Sequence, residues 1–363
     1  MRRPSADFSP MAWNRARSSG WTHTAEAVTL PNRRDQIRGQ QRAGRERIIS
    51  KTTPTASPAA TPTFGLRVCC AAIAATPGRL LRPRAPDKEL LASIHDAGLP
   101  PAHASVRLVM LPQAISTAPG PIVVEGAFRP LKVSMSMTTF LVEHPQGRFL
   151  IDPAMCADVH AQVVPLLPRA LRRVVAPKKA VVGLGEALSG AGLSVTDIDF
   201  VLPTHLHWDH IAGLLELPAP VPVLATADEH TAAMHSAVTE ILLRRRPFAP
   251  YLLDGPPVLT FTSSFDLFED GSVILVDLAG HTPGSVGIIL ALDDGTRLLL
   301  AGDAVWHSRQ VVLIREKAPF PGNLVDHDRD AAFAAIHRLH ALPAHVRIIA
   351  AHDSAAITAH CAR

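Results

Sequence analysis

The sequence predicts a mixed α/β protein in which helices pack on the outer faces of β-sheets. Three observations support this fold class. Short apolar runs typical of buried strands recur from residue 104 onward, several of them bounded by turns such as Asp270-Gly271 and Asp294-Gly295. Segments with helical spacing lie between these runs. Hydrophobic residues make up 47% of the 363 residues, which is enough for a sizeable core. Strands interspersed with helices are typical of sheets that helices cover.

Residues 1–65 differ in composition from the rest of the chain. They contain 11 Lys and Arg against 4 Asp and Glu, lack a hydrophobic period, and end in a stretch rich in Pro, Thr, Ser and Ala. Such a composition cannot bury enough apolar surface to offset the entropy of ordering, so we predict a disordered basic leader. The other residues hold 25 basic and 28 acidic side chains, so the net charge of +4 comes from this leader.

Composition also argues against several classes of protein. The basic leader shows no regular interleaving of aromatic with basic residues, so no nucleic-acid partner is expected. No apolar run reaches 18 residues, so no membrane partner is expected. The four cysteines form no CxxC pair and are too few for a disulfide scaffold, and we expect a cytoplasmic protein. A secreted or periplasmic protein is the alternative if translation starts near the apolar run within residues 66–80.

The first predicted elements lie on both sides of residue 104. Residues 66–103 form a transition segment in which we predict one helix near Lys88–Ala97. A catalytic domain is predicted over residues 104–363. It begins with a strand at Val106–Leu111 and continues with a hairpin whose strands, Thr138–Glu143 and Arg148–Asp152, are joined by His144-Pro-Gln-Gly147.

The remaining elements alternate between helices and short strands. A weak helix is predicted at Val181–Leu188. Helical spacing runs from Ala227 to Arg246, where Pro247 ends it, and places Met234, Val238, Ile241 and Leu242 on one apolar face. The last predicted helix is Asp328–Leu342. Further strands are predicted, in chain order, at Phe200–Leu202, Val221–Leu224, Val273–Leu278, Val286–Leu292, Arg297–Ala301 and Val346–Ala350.

The most informative segment is Thr204-His-Leu-His-Trp-Asp-His210, which directly follows a predicted strand. His205 and His207 lie two residues apart on extended chain, so both imidazoles can point to one side. Asp209 and His210 follow where the chain turns into a helix and can face a second point nearby. Imidazole and carboxylate without thiolate suit zinc, iron or manganese, so this loop offers ligands for two metal ions.

Three more candidate ligands occur in the same local setting, each shortly after a predicted strand. His281 lies in Gly-His-Thr-Pro-Gly-Ser, Asp303 follows Gly302, and His352 lies in Ala-His-Asp. A carboxylate between two metal ions can bridge them, and paired ions generate and orient a hydroxide. The sequence therefore predicts a metal site assembled from the ends of several strands.

These motifs, in this order, resemble those of the metallo-β-lactamase superfamily over about residues 104–361. The resemblance implies a four-layer αββα sandwich with a site for two divalent metal ions at one edge of the two sheets, Zn²⁺ first and Fe or Mn as alternatives. It implies that Asp152 braces the metal loop without binding metal. It assigns His205, His207 and His281 to a first metal ion. It assigns Asp209, His210 and His352 to a second metal ion, with Asp303 as the ligand that bridges the two.

The resemblance implies a hydrolase in which a metal-bridging hydroxide attacks a lactone, an ester or a related small-molecule substrate. Asp209 and Asp303 are then the catalytic carboxylates, with Asp209 moving a proton. The subgroup that this chain resembles contains lactonases that open acyl-homoserine lactones, together with organophosphate hydrolases. Those lactonases carry a Tyr three residues after the bridging Asp, where this chain has Trp306, and we take Trp306 and His307 as candidate substrate-pocket residues.

Two alternatives stay open on the same fold. One is a mononuclear iron enzyme like the persulfide dioxygenases, and the other is a thiolester hydrolase like glyoxalase II. The glyoxalase II members share the Gly-His-Thr-Pro-Gly segment but need a basic patch for recognising the thiol, which the sequence does not reveal. The sequence makes no prediction of the oligomeric state or of the particular substrate.

Overall fold

A computed structural model of the chain describes residues 66–169, 172 and 175–361. The leader predicted to be disordered, residues 1–65, lies outside the described residues. The described strands form two sheets, one of six strands and one of five.

The six strands of the first sheet lie side by side in the order in which they occur in the chain. They are β1 (Arg107–Pro119), β2 (Lys132–His144), β3 (Gly147–Ile151), β4 (Phe200–Val201), β5 (Val223–Ala225) and β6 (Phe248–Pro250). The strands β1, β2 and β3 pair antiparallel, and the strands from β3 to β6 pair parallel. The pairs Glu143–Arg148 and His144–Gly147 close the predicted hairpin, which is confirmed.

The second sheet comes from the later part of the chain. Its strands are β7 (Ser264–Asp266), β8 (Val273–Asp277), β9 (Val286–Ala291), β10 (Arg297–Leu300) and β11 (Val346–Ile349). They lie in the order β11-β10-β9-β8-β7, and every pair is antiparallel except β10 with β11.

Helices connect the strands and cover the sheets. In chain order they are α1 (Leu66–Leu81), α2 (Lys88–Ser93), α3 (Gly120–Val123), α4 (Val159–Gln162), α5 (Leu184–Gly190), α6 (Trp208–Ile211), α7 (Ala227–Met234), α8 (Ala237–Leu243), α9 (Ser308–Leu313), α10 (Pro319–Val325), α11 (Arg329–His340) and α12 (Ser354–Cys361). Short 3₁₀ turns occur at Val164–Leu166, Val195–Asp197, Ala212–Glu216 and Gly302–Ala304. Within the part of the chain that the structure describes, no helix is long and apolar enough to cross a membrane.

Three apolar layers show how the sheets and helices stack. The inner faces of the two sheets meet in a core that includes Phe140 and Ile288. The outer face of the first sheet packs against α4 to α8 through residues such as Leu141, and the outer face of the second packs against α11 through residues such as Phe333. Phe140 and Leu141 point to opposite faces of β2, as the two-residue period of a strand requires. This is the predicted four-layer αββα sandwich, which is confirmed.

The first strand is longer than its apolar pattern predicts. β1 runs to Pro119, eight residues beyond the predicted end at Leu111, and pairs with β2 along this whole length. The register shifts between Pro112 and Ala114, so Gln113 lies in an irregularity of the strand. Its side-chain Nε2 donates to the carbonyls of Met155 and Val182, and its Oε1 accepts from the hydroxyl of Thr139 in β2. A proline and a bulge in a polar stretch hide the continuation of the strand from a period-two pattern.

The single helix predicted from Ala227 to Arg246 is wrong, because the structure has two helices there, α7 and α8. The chain leaves the helix at His235, and Ser236 begins the second helix in an extended conformation. Val238 and Leu242 are buried as predicted, whereas Met234 and Ile241 are 38% and 41% exposed. Because the chain changes direction between the two helices, the four predicted apolar residues do not share one face. Only two of them reach the core.

Residues 66–103 contain two helices, one more than predicted. Asp87 accepts a hydrogen bond from the backbone of Leu90 and so begins α2, which ends at Ser93. The helix α1 contacts α10, where the backbone N–H of Phe320 donates to the hydroxyl of Thr76 at 2.9 Å. The start of a separate catalytic domain at residue 104 stays a prediction.

Candidate metal centre

The structure brings the seven predicted ligands together at one edge of the sandwich. His205, His207, Asp209 and His210 follow β4 in the first sheet. The other three follow strands β8, β10 and β11 of the second sheet, and they are His281, Asp303 and His352. The ends of β4 and of these three strands meet at this edge, so residues far apart in the chain become neighbours.

The ligand atoms fall into three overlapping groups among the described residues. Within each group, the atoms that can bind a metal lie within 4.8 Å of one another. The side chains are almost all buried. The groups are His205, His207 and His281; His205, His210 and Asp303; and Asp209, His210 and His352.

Asp303 lies between ligands that come from different parts of the chain. Its Oδ1 is 3.3 Å from Nε2 of His210 and 3.1 Å from Nε2 of His352. Its Oδ2 is 3.4 Å from Nε2 of His281. The two oxygens of one carboxylate therefore face nitrogen atoms of different candidate ligands.

Hydrogen bonds on the outer nitrogen of each ring set which nitrogen faces the site. The Nδ1 atoms of His210, His281 and His352 donate to Oδ2 of Asp152, Oδ1 of Asp326 and the carbonyl of Ser136, at 2.9, 2.8 and 2.9 Å. Each neutral ring then presents the lone pair of Nε2 to the site. Outer hydrogen bonds of this kind orient the histidine ligands of metal sites.

His205 is oriented through a neighbouring hydroxyl. The hydroxyl of Thr204 donates to Oδ2 of Asp152 at 2.8 Å, so it accepts from Nδ1 of His205 at 3.2 Å. Asp152 thus orients His205 and His210 together, and its Oδ1 accepts from the backbone N–H of Thr204 at 2.7 Å. A residue that braces the loop would use these contacts, and the bracing role of Asp152 stays a prediction. Asp152 has a φ of 50°, a conformation that few non-glycine residues adopt.

The inner atoms of the site fit metal ions. Among the residues described, Nε2 of His205, Nε2 of His210 and Oδ1 of Asp303 are buried without a hydrogen-bond partner. Unpaired buried polar atoms are costly unless something binds them. Nδ1 of His207 and Nε2 of His281 also face each other at 2.9 Å. Several lone pairs that converge on the same points match the donor set of a divalent cation site.

The pKa shifts of these residues follow from burial and from Asp303. Burial and the neighbouring His281 lower the pKa of His207 to about 3, and burial with His210 lowers the pKa of His205 well below its usual value. Burial also acts to lower the pKa of His210 and His352, but the Asp303 carboxylate outweighs it and raises both. The carboxylate attracts positive charge to this point of the site.

Gly302 allows the chain to pass close to the metal loop. It has a φ of 50°, and a Cβ at this position would lie 2.7 Å from Oγ1 of Thr204. Glycine is therefore required both by the left-handed conformation and by the contact. The result is that Asp303 approaches the loop that carries His205.

Sequence reasoning missed three residues that support the site. Glu229 accepts hydrogen bonds from the backbone of Leu206 and of Gly284, at 2.7 and 3.0 Å, and so joins the loops of His205 and His281. Asp326 orients His281, and the buried Lys317 contacts Asp326 at 2.8 Å. None of the three belongs to a sequence motif. The only indication in the sequence is weak: Glu229 is an acidic residue within a segment that has the spacing of an apolar helix.

The two candidate pocket residues lie beside the site. The indole N–H of Trp306 donates to Oδ2 of Asp303 at 2.7 Å, and its ring lies 6.1 Å from that of His352, centre to centre. His307 begins α9, where its Nδ1 accepts from the backbone of Arg309 at 3.2 Å. Trp306 therefore contacts the candidate bridging ligand directly, whereas one nitrogen of His307 is used within its own helix.

The fold and the site together define a family. The model for the metallo-beta-lactamase superfamily matches residues 136–352, which include all seven candidate ligands. The chain belongs to this superfamily. It is a metallo-hydrolase by family, and the family implies divalent metal ions.

Curated relatives agree with this assignment. The chain is 28% identical over 252 residues to probable metallo-hydrolases of Mycobacterium tuberculosis and Mycobacterium bovis, a match that covers 63% of this chain and 78% of each relative. It is 24% identical over 179 residues to the N-acyl homoserine lactonase AttM of Rhizobium radiobacter, covering 46% of this chain and 64% of AttM.

Solved structures show the same fold. A structure of AiiA from B. thuringiensis, with N-decanoyl-L-homoserine bound at its active site, matches with a TM-score of 0.53 and 16% identity. The match covers 72% of this chain and 97% of AiiA. At this identity the likeness shows the fold alone.

Proposed function

We propose that this chain is a dinuclear metal-dependent hydrolase that opens a lactone, an ester or a related small substrate. The observation that carries the proposal is the position of Asp303, whose two carboxylate oxygens face nitrogen ligands of different groups at 3.1 to 3.4 Å. The residues that would hold the first ion, the second ion and both are His205, His207 and His281; Asp209, His210 and His352; and Asp303.

Divalent cations held by these seven residues would lower the pKa of water, so that hydroxide forms at neutral pH, and would polarise the bond to be broken. The protein contributes orientation, because the outer hydrogen bonds fix the histidine rings before substrate binds. Asp209 is 21% exposed at its side chain, whereas Asp303 is 5% exposed. Asp209 is therefore the carboxylate that can exchange a proton between the substrate and solvent.

The substrate carbonyl is not held by a phenol at residue 306. The indole N–H of Trp306 is already donated to Asp303, so it cannot donate to a substrate at the same time. We infer that the indole ring forms part of the apolar wall of the pocket, beside Val123, Val124, Val133 and Met135. The relation to the lactonase AttM makes lactones the first substrates to test.

The mononuclear alternative is less well supported. A single iron ion would need only some of these ligands, whereas the inner nitrogen of His210 is also buried and unpaired within the described structure. Asp209, His210 and His352 form a group that shares no residue with the group of His205, His207 and His281. This second group favours two ions.

Metal analysis and a substrate panel test the proposal. We expect about two metal ions per chain and hydrolysis of at least one class among lactones, aryl esters, phosphotriesters, thiolesters and β-lactams. Asp303→Ala should abolish this activity without unfolding the protein. Asp294→Ala is the matched control, since Asp294 lies in the β9–β10 turn at the far end of β10. Full activity of metal-free protein, or an active Asp303→Ala variant, would show that the proposal is wrong. Oxygen uptake with a persulfide would instead support the mononuclear iron alternative.

A further inference from the structure

A buried lysine lies directly behind the candidate metal site. The side chain of Lys317 is 2% exposed, and Lys317 lies between α9 and α10. Its Nζ donates to the backbone carbonyl of Asp303 at 2.9 Å and to Oδ1 of Asp326 at 2.8 Å. It also lies 5.1 Å from the centre of the Trp306 ring, within the range of a cation–π contact. No sequence motif marks this lysine.

These contacts reach two candidate metal ligands at once. Oδ1 of Asp326 also accepts from Nδ1 of His281 at 2.8 Å, so Lys317 and His281 share one carboxylate oxygen. His281 follows β8 and Asp303 follows β10, and β9 separates these two strands in the sheet. One ammonium group therefore joins two loops that the sheet itself keeps apart.

The backbone around Lys317 holds the ammonium group in a defined place. The carbonyl of Lys317 accepts from Arg329 at 2.7 Å, and the backbone N–H of Ala318 donates to the carbonyl of Ile122 at 2.9 Å. The backbone N–H groups of His327 and Asp328 donate to the carbonyls of His281 and Gly280 at 3.0 and 2.8 Å. The main chain of both partners is thus fixed, and Asp326 controls the orientation of the His281 ring.

Stability alone is a weak reason for this arrangement. A buried ion pair loses so much hydration that an apolar pair of similar volume is often as stable or more stable. The carboxylate of Asp326 accepts from Lys317 and His281 through Oδ1, both at 2.8 Å, and from Arg329 through Oδ2 at 3.0 Å, so three donors share this one side chain.

We propose that Lys317 is a positioning residue of the metal site, which holds the backbone of Asp303 and, through Asp326, the ring of His281 at the spacing that two metal ions require. The inference rests on the metal site of the proposed function and not on the identity of the substrate. It can therefore be tested by metal binding without any substrate.

The experiment compares full-length wild type with Lys317→Met, Asp326→Asn and the double variant. The double variant leaves no uncompensated buried charge, so it is expected to fold even if Lys317→Met does not. Arg148→Met is the control, because it removes an ion pair with Glu143 at the opposite end of β3. Affinity for Co²⁺ is measured by competition with a chelator, together with the visible spectrum of the Co²⁺-loaded protein and the melting temperature of the metal-free protein.

We expect Lys317→Met and Asp326→Asn each to weaken metal affinity by about 10- to 100-fold and to change the Co²⁺ spectrum. The double variant should lose less than the product of the two single losses, because both act on the same ring. Unchanged affinity and spectrum in the double variant, with a lower melting temperature alone, would overturn the inference and leave the proposed function standing. Wild type that takes up no metal would overturn both, whereas altered affinity without any hydrolysis would overturn the proposed function alone.

Discussion

Both ends of the β-sandwich carry histidine beside acidic side chains, but the two ends differ in what the ring nitrogens contact. At the end where β3 begins, Nδ1 of His144 accepts from the backbone of Gln146 at 3.0 Å, and Nε2 donates to Asp270 at 2.9 Å. At the other end, the inner nitrogens of His205 and His210 have no hydrogen-bond partner among the residues described.

The difference shows what separates a metal site from a structural ion network. A cavity of 270 Å³ lies at the His144 end, and residues that line it include Glu143, Arg148 and Asp199. These groups are paired with one another or with the backbone, as in the bond from Arg148 to Glu143 at 2.8 Å. Titratable residues in a cavity are therefore not sufficient, and unpaired ligand atoms that converge on one point are the stronger indication.

Exchanging one histidine at each end should give the largest contrast. We expect His210→Ala to lower hydrolysis by more than about 100-fold, since loss of a direct ligand should exceed the 10- to 100-fold effect of an outer partner. His144→Ala should keep its metal and its activity but lose about 1–3 kcal/mol of stability, because Asp270 loses a buried donor. Metal content, rates and denaturant unfolding of the two variants check this. Metal loss from His144→Ala would remove the distinction between the two ends.

Removing the metal should destabilise the protein only through the end of the sandwich that carries the candidate ligands. A ligand that binds only the folded state adds about 2.7 kcal/mol when its free concentration is 100 times its Kd. We expect chelation to lower the unfolding free energy of wild type by about this amount at that metal concentration. Thermal unfolding with and without chelator measures this loss of stability. The control Arg148→Met should lose as much stability on chelation as wild type. Equal stability with and without metal would contradict the prediction.

Two glycines with positive φ provide a smaller contrast. Gly302 and Gly295 have φ of 50° and 81°, so alanine at either position should cost about 1–2 kcal/mol. Only at Gly302 would the new Cβ meet a neighbour, at 2.7 Å from Oγ1 of Thr204, whereas at Gly295 it meets none of the described residues within 4 Å. We expect Gly302→Ala to weaken metal affinity about 10-fold as well, because Thr204 orients His205. Unfolding and chelator competition on both variants distinguish the effects, and equal metal affinity would count against the role of Thr204.

The smallest effect is expected for Asp270, the acidic partner of His144, when the pH is lowered. Burial acts to raise the pKa of Asp270, but hydrogen bonds from Ser272 and His144 outweigh it and lower the pKa overall. Ionised Asp270 therefore stabilises the fold above its unfolded pKa of about 3.9, and this contribution is lost as the pH falls through the lower folded value. Wild type should exceed Asp270→Asn by less than about 1 kcal/mol near pH 6, because asparagine can still accept from the backbone N–H of Ser272 and the pair with His144 is partly open to solvent. Unfolding experiments from pH 6 down to pH 2 should show the stability difference between wild type and Asp270→Asn becoming smaller. A difference that grows in acid would contradict the predicted direction of the pH dependence.

Much of the fold could be predicted because it depends on local patterns. The hairpin around Gly147 follows from two apolar runs and a turn, and the strand ends follow from short apolar segments. The extension of β1 past Pro112 and the break at Ser236 could not be predicted. In both places a contact distant in sequence or a local irregularity replaces the regular period, and such features leave no trace in a single-segment pattern.

The side chains that could act as ligands can be recognised in the sequence alone, because the spacing of neighbouring residues is local. His205 and His207 stand two residues apart on extended chain, and Asp303 and His352 each lie three residues beyond the end of a strand. How these candidate ligands are held depends on contacts that form only in the folded protein. Lys317 and Asp326 flank α10, His281 follows β8, and their contacts arise because the loops after β8 and β10 pack against the two ends of α10. The candidate metal-binding side chains can therefore be predicted from the sequence. The contacts that orient them cannot, because they join residues that meet only after folding.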